Sequence, residues 1–203
     1  MAFSTRYLKT LSTALSSTVV FDRAGLAQTI DSSLDGLVEA VRRTQKSNHC
    51  LWFAGNGASA AMSSHMALDF SKNARVRSLA LNDAASLTAI GNDLGFEHIF
   101  GQPLQWHGVK GDGLVLVSSS GTSPNMLAAA EVGRQKGMWI VTLTGLNEDN
   151  PLRRLGDLNY FIDARSYGIV ECAHQVLLHM WLDRLMGVED WSMQESQNMR
   201  LTN

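Results

Sequence analysis

The spacing of hydrophobic residues changes period near residue 49. Before it, Tyr7, Leu8, Leu11 and Leu15 form one helical series, and Ile30, Leu34, Leu37, Val38 and Val41 form a second, on a helix starting near Asp31 or Ser32. Two helices ahead of the first strand exceed what one sheet face needs. They predict an arm over residues 1–48 that packs on another subunit, or a helical cap on the same domain. From residue 49 short apolar runs alternate with amphipathic stretches. Strands are expected at 50–54, 76–81, 114–117, 138–143 and 158–162, with helices at 58–71, 85–91, 97–106, 124–136, 151–155 and 168–186. That alternation predicts a three-layer α/β/α fold around a five-stranded, mostly parallel sheet, of the flavodoxin-like or Rossmann-like kind. Residues 49–187 form the domain, and 188–203 form a polar tail.

Composition narrows the classes without naming one. The chain has 203 residues, 45% hydrophobic and 18% charged, with a net charge of −2. One domain with a full core fits this length. No basic excess points to nucleic acid, no stretch is long and apolar enough to span a bilayer, and no secretion signal opens the chain. Cys50 and Cys172 stand far apart in apolar surroundings, which reads as two buried, reduced thiols and a cytoplasmic protein.

Candidate chemistry gathers where strands run into helices, the edge at which open α/β folds bind ligands. After the strand at 114–117 come Ser118, Ser119, Ser120, Gly121, Thr122 and Ser123, then Pro124 and an Ala-rich helix. Ser123 takes the N-cap position and Pro124 the first helical position. Unpaired backbone N–H groups, a helix dipole and five hydroxyls around one small volume suit a phosphate, although a serine-rich turn that merely caps its helix has the same letters. The first strand ends in a similar turn, Gly55-Asn56-Gly57-Ala58-Ser59. On the helix after it, His65 and Asp69 share a face at i,i+4, a spacing that suits a divalent metal, a proton-transfer couple or a plain ion pair. The last helix carries Glu171, His174 and His179 amid apolar residues; 171 and 179 project on nearby sides of the helical wheel, with 174 flanking. Polar groups on such a helix are costly unless paired.

In order and spacing these stretches resemble the sugar isomerase (SIS) domain and, within it, the phosphoheptose isomerase family. The resemblance runs from about residue 30 to 187. Its residues are the 55–59 turn with His65 and Asp69, Gly91-Asn92-Asp93-Leu94-Gly95-Phe96, Gly111-Asp112, the Ser118–Asn125 loop, residues 136–145, and Glu171, His174 and His179. It implies that Ser118, Ser119, Ser120 and Ser123, with Asn56, Gly57 and Ser59, hold a substrate phosphate, and that Asp93 and Glu171 meet the sugar. It also implies a catalytic Zn2+ on His65, Asp69, Glu171 and His179, with Asp69 as base and His179 as its acid/base partner. The implied reaction interconverts sedoheptulose 7-phosphate and D-glycero-manno-heptose 7-phosphate through an enediol, as a step toward lipopolysaccharide or glycan precursors. The implied assembly is a homotetramer with sites at subunit interfaces. The scaffold is also that of a non-catalytic relative, the DnaA initiator-associating protein, so a sugar-phosphate sensor or protein-binding role is the alternative.

The chain departs from the family pattern in three places. Asp69 replaces the usual Glu and shortens the reach by about 1.5 Å. Glu171 replaces Gln, so two carboxylates beside Zn2+ would blunt its Lewis acidity. Lys72 and Asn73 lie where a sugar-facing Arg is expected.

Overall fold

The computed structural model describes residues 1–191. Its centre is one seven-stranded sheet in the order β2-β1-β7-β6-β5-β3-β4. The five expected strands are present as β3 (Leu51–Gly55), β4 (Ser78–Ala80), β5 (Gly113–Val117), β6 (Trp139–Gly145) and β7 (Leu158–Ile162), and they run parallel. The expectation of five strands is corrected by a hairpin, β1 (Val19–Asp22) and β2 (Ala27–Gln28). β1 lies antiparallel on β7, with Val20 opposite Tyr160 and Asp22 opposite Leu158. Thr18-Val19-Val20-Phe21 is too short for a helix and β-branched enough for an edge strand. Residues 1–48 are therefore not helical throughout. α1 (Phe3–Ser16) precedes the hairpin and α2 (Ile30–Lys46) follows it, capped by Thr29, whose hydroxyl accepts from Ser32 N–H.

Both faces of the parallel strands are dry, and the side chains alternate between two cores. Leu51, Phe53, Val115, Val117, Val141 and Leu143 face α2, α3 (Ala58–Lys72) and α7 (Tyr167–Met186). Trp52, Ala54, Leu114, Leu116 and Ile140 face α4 (Ala84–Asp93), α5 (Gly101–His107) and α6 (Pro124–Gln135). Leu34, Leu37, Val38 and Val41 of α2 belong to the first core, so this helix covers its own sheet. α1 rests on α7 with only Ala14 fully buried, leaving Phe3 and Leu8 exposed. Cys50 is buried, but Cys172 is exposed, which corrects the expectation of two buried thiols. Among the described residues no helix is long and apolar enough to cross a membrane. The expected tail at 188–203 lies outside the described residues from 192 on.

Candidate active site

Two turns build the rim at the carboxyl ends of the strands. At the first, Gly57 caps α3 with φ 57° and ψ −123°, a backbone region that side chains disfavour. Ser59 follows, buried in the first turn of the helix. The second turn, 118–123, is pinned by backbone bonds. Ser118 N–H donates to Leu143 O at 3.0 Å, and Gly145 N–H donates to Ser119 O at 3.0 Å. The turns are tied together by a reciprocal amide pair. Asn56 Nδ2 donates to Asn125 Oδ1 at 3.0 Å, and Asn125 Nδ2 donates to Asn56 Oδ1 at 2.9 Å.

The hydroxyls in the serine turn differ in what occupies them. Ser118 Oγ accepts from Gly121 N–H, and Ser120 Oγ accepts from the Thr122 amide and hydroxyl. Ser119 Oγ is buried without a partner. Ser123 does occupy the N-cap position with Pro124 behind it, but its side chain makes no capping bond. The expectation of a capping hydroxyl is corrected on that point, and the start of α6 keeps open N–H donors beside a half-buried Ser123.

α3 and α7 each leave the sheet at its carboxyl edge, after parallel strands, and so run side by side in one direction. Contacts join them: Gln175 Nε2 lies 3.2 Å from Met66 Sδ, and the rings of His65 and His179 meet edge to face at 5.4 Å. His65 Nε2 and Asp69 Oδ2 are 3.3 Å apart. One ligand atom from each of His65, Asp69 and His179 falls within 4.8 Å of the others. Two ligands on a tetrahedral Zn2+ at 2.0–2.1 Å lie roughly 3.3 Å apart, so this donor set fits such an ion with small side-chain adjustments.

Glu171 does not join that group. Eight residues of helix place it about 12 Å along α7 from His179, toward the serine turn. It is half-buried there. Asp93 lies at the exposed end of α4, where its carboxylate accepts from Asn92 Nδ2 at 2.8 Å. Lys72 is exposed in the last turn of α3, and Asn73 caps that helix.

His174 turns inward, where spacing alone had made it a flanking position. It is 0% exposed, and its Nε2 is 3.1 Å from Thr144 O, at the end of β6 beside the serine turn. Burial pushes its pKa down to about 4, so the ring is neutral, donates from Nε2 and leaves Nδ1 without a partner. Asn150 supports the serine turn. Its 1% exposed side chain packs against Gly121, and its neighbour Leu152 donates its N–H to Gly121 O at 3.1 Å. The signal available was an Asn directly before Pro151, a combination that caps short helical turns.

A doubly covered parallel sheet, phosphate-type turns at its carboxyl edge and a His/Asp/His group between two helices define a SIS-domain protein, and the SIS domain model matches residues 20–145. Curated relatives include the phosphoheptose isomerase of Streptomyces coelicolor, 38% identical over 63% of this chain and 57% of that one. The phosphoheptose isomerase of Aneurinibacillus thermoaerophilus is 36% identical over 70% of this chain and 74% of that one. The chain thus spans little more than half the length of the Streptomyces relative and about three quarters of the other. Among solved structures, the phosphoheptose isomerase of Neisseria gonorrhoeae superposes with a TM-score of 0.76 at 24% identity, over 90% of this chain and 94% of that one. The chain belongs to the phosphoheptose isomerase family.

Proposed function

We propose that the protein is a phosphosugar aldose–ketose isomerase, and that its substrate pair is sedoheptulose 7-phosphate and D-glycero-manno-heptose 7-phosphate. The observation that carries this reading is the separation of a phosphate-type rim from a proton-transfer group. Ser59 and His65 are six residue steps apart on α3, an axial rise of about 9 Å. From C2 to the phosphorus of an extended heptose 7-phosphate is also roughly 9 Å. A pentose phosphate falls short by about 2.5 Å on the same count.

In this reading Ser120 and Ser123, the open N–H groups of α6, Asn56, Gly57 and Ser59 hold the phosphate, while Ser118 and Ser119 shape the turn. Glu171, part-way along the path, accepts from sugar hydroxyls, and Asp93 does the same from a neighbouring subunit. Asp69 presents one carboxylate oxygen to His65, leaving the other to take the proton from C1 of the ketose. The bonding pair moves into the C1–C2 bond and the carbonyl oxygen gains a proton from His179, giving the enediol. Return of the proton to C2, with loss of the O1 proton through His179, gives the aldose. A Zn2+ held by His65, Asp69 and His179 would supply Lewis acidity toward the carbonyl. The apolar groove between α1 and α7, lined by Leu8, Leu11, Leu15, Ile30, Leu177 and Met180, supports assembly into the expected homotetramer.

The test is proton exchange in D2O against a panel of C5 to C7 ketose phosphates. Exchange and isomerisation fastest with the C7 compound are expected. Tight binding of a phosphosugar with no exchange would move the protein to the sensor class, and exchange fastest with a C5 or C6 compound would replace the substrate.

A further inference from the structure

A second cavity lies away from the His/Asp/His group. It has a volume of about 450 Å³ and is lined by Phe21, Asp22 and Arg23 of the β1–β2 hairpin, Arg153 and Arg154 of the short turn Pro151–Arg154, and Asn159 of β7. Because Asp22 pairs with Leu158, the hairpin turn sits at the amino-terminal end of β7, opposite the serine turn. The cavity falls within the size range of small-molecule sites.

Its charge is one-sided. Three guanidinium groups face one lining carboxylate, Asp22, which is already engaged: its Oδ1 accepts from Ala24 and Leu26 N–H, both at 2.9 Å. Asp157 stands 3.9 Å from Arg23, but it accepts from Arg134 at 2.9 Å and from Ile140 N–H at 2.8 Å, so it is a weak partner for Arg23. Arg153 is held in place from two sides. Its guanidinium lies 4.2 Å from the Phe161 ring centroid and 5.4 Å from that of Phe21, and one N–H donates to Glu148 O at 2.8 Å. A guanidinium fixed on aromatic faces retains donors for an incoming anion at little entropic cost. Arg154 is exposed beside it and makes no ion pair among the described residues. Asn159 forms a rigid floor, its amide committed to Thr142, Gly156 and Phe21.

We propose that this cavity is a binding site for a phosphate-bearing small molecule, separate from the phosphosugar site. Arg153 is the fixed donor, and Arg23 and Arg154 close on the anion from two sides. Charge-assisted contacts from guanidinium to phosphate are the strongest single hydrogen bonds available here, and the three lining guanidinium groups outweigh the one lining carboxylate.

The test uses the full chain and inorganic pyrophosphate, followed by isothermal titration calorimetry at low salt. Wild type is expected to bind two pyrophosphates per chain, one at each site. Arg23→Ala with Arg154→Ala should weaken one of the two by about tenfold or more and leave isomerase turnover unchanged. Ser120→Ala with Ser123→Ala should weaken only the other. A single pyrophosphate per chain that is weakened by the serine changes and indifferent to the arginine changes overturns the proposal. So does an arginine variant that binds both equivalents with wild-type affinity.

Discussion

Replacing Gly121 by Ala tests how firmly the serine turn is held. Gly121 has φ +63°, and a Cβ on it would overlap Oδ1 and Cγ of the Asn150 side chain. Asn150 cannot swing aside freely, because its Nδ2 donates to Asn147 O at 2.7 Å and its Oδ1 accepts from Arg153 N–H at 3.0 Å. The left-handed backbone costs an alanine about 1 kcal/mol. Displacing the two bonds of a buried amide adds about 1 kcal/mol each. A loss of about 3 kcal/mol, with a urea m-value of about 2 kcal/mol/M, lowers the unfolding midpoint by roughly 1.5 M. The backbone of the turn must also shift, so KM for the phosphosugar should rise more than kcat falls. Asn150→Ala in the same chain removes the two closest contacts. The double variant should therefore be at least about 1 kcal/mol more stable than the sum of the singles. A Gly121→Ala midpoint within about 0.3 M of wild type, with unchanged KM, would refute the reasoning.

Elemental analysis of protein purified without chelator should find near-stoichiometric zinc, and His65→Ala or His179→Ala should lose it together with turnover while the circular dichroism spectrum is kept. Ser120→Ala with Ser123→Ala should raise KM for the phosphosugar at least tenfold, since each hydroxyl contact to an anion contributes about 1 kcal/mol; an unchanged KM would place the phosphate elsewhere. His174 is neutral in the fold down to about pH 4 while the unfolded chain takes up its proton below about 6.5. Stability should therefore fall as pH drops through that window, by about 3 kcal/mol in all, and His174→Gln should flatten this acid limb in pH-dependent urea melts.

What the sequence revealed follows from how locally each feature is encoded. The parallel strands carry dense runs such as Leu114–Val117, and the turns after β3 and β5 carry glycine and serine at set positions, so both were legible. The hairpin was not, because β1 is four residues long and earns its place only by pairing with Tyr160 and its neighbours, 140 positions away. His65 and Asp69 were readable as a pair because i,i+4 spacing brings them together on any helix. Their meeting with His179 depends on α3 and α7 running side by side, which topology decides and spacing does not. His174 shows the limit from the other side: a wheel places it beside Glu171 and His179, but only the packed helix shows it turned to Thr144 beneath the serine turn.

Two of the departures from the family pattern, Asp69 and Glu171, take a different weight once the helices are placed. Read as one ligand shell, Asp69 and Glu171 would both charge the ion and cancel its pull on a carbonyl. The donor atoms do not group them together. Asp69 lies 3.3 Å from His65, and Glu171 lies outside the donor group. A divalent ion on two neutral imidazoles and one carboxylate keeps a net charge of +1 and an open fourth position, the condition under which such an ion polarises a substrate oxygen. On that reasoning Glu171→Gln should leave zinc content unchanged and act on substrate binding, raising or lowering KM with little change in metal affinity. Loss of zinc in that variant would return Glu171 to the ligand shell, and with it the difficulty of a neutralised ion.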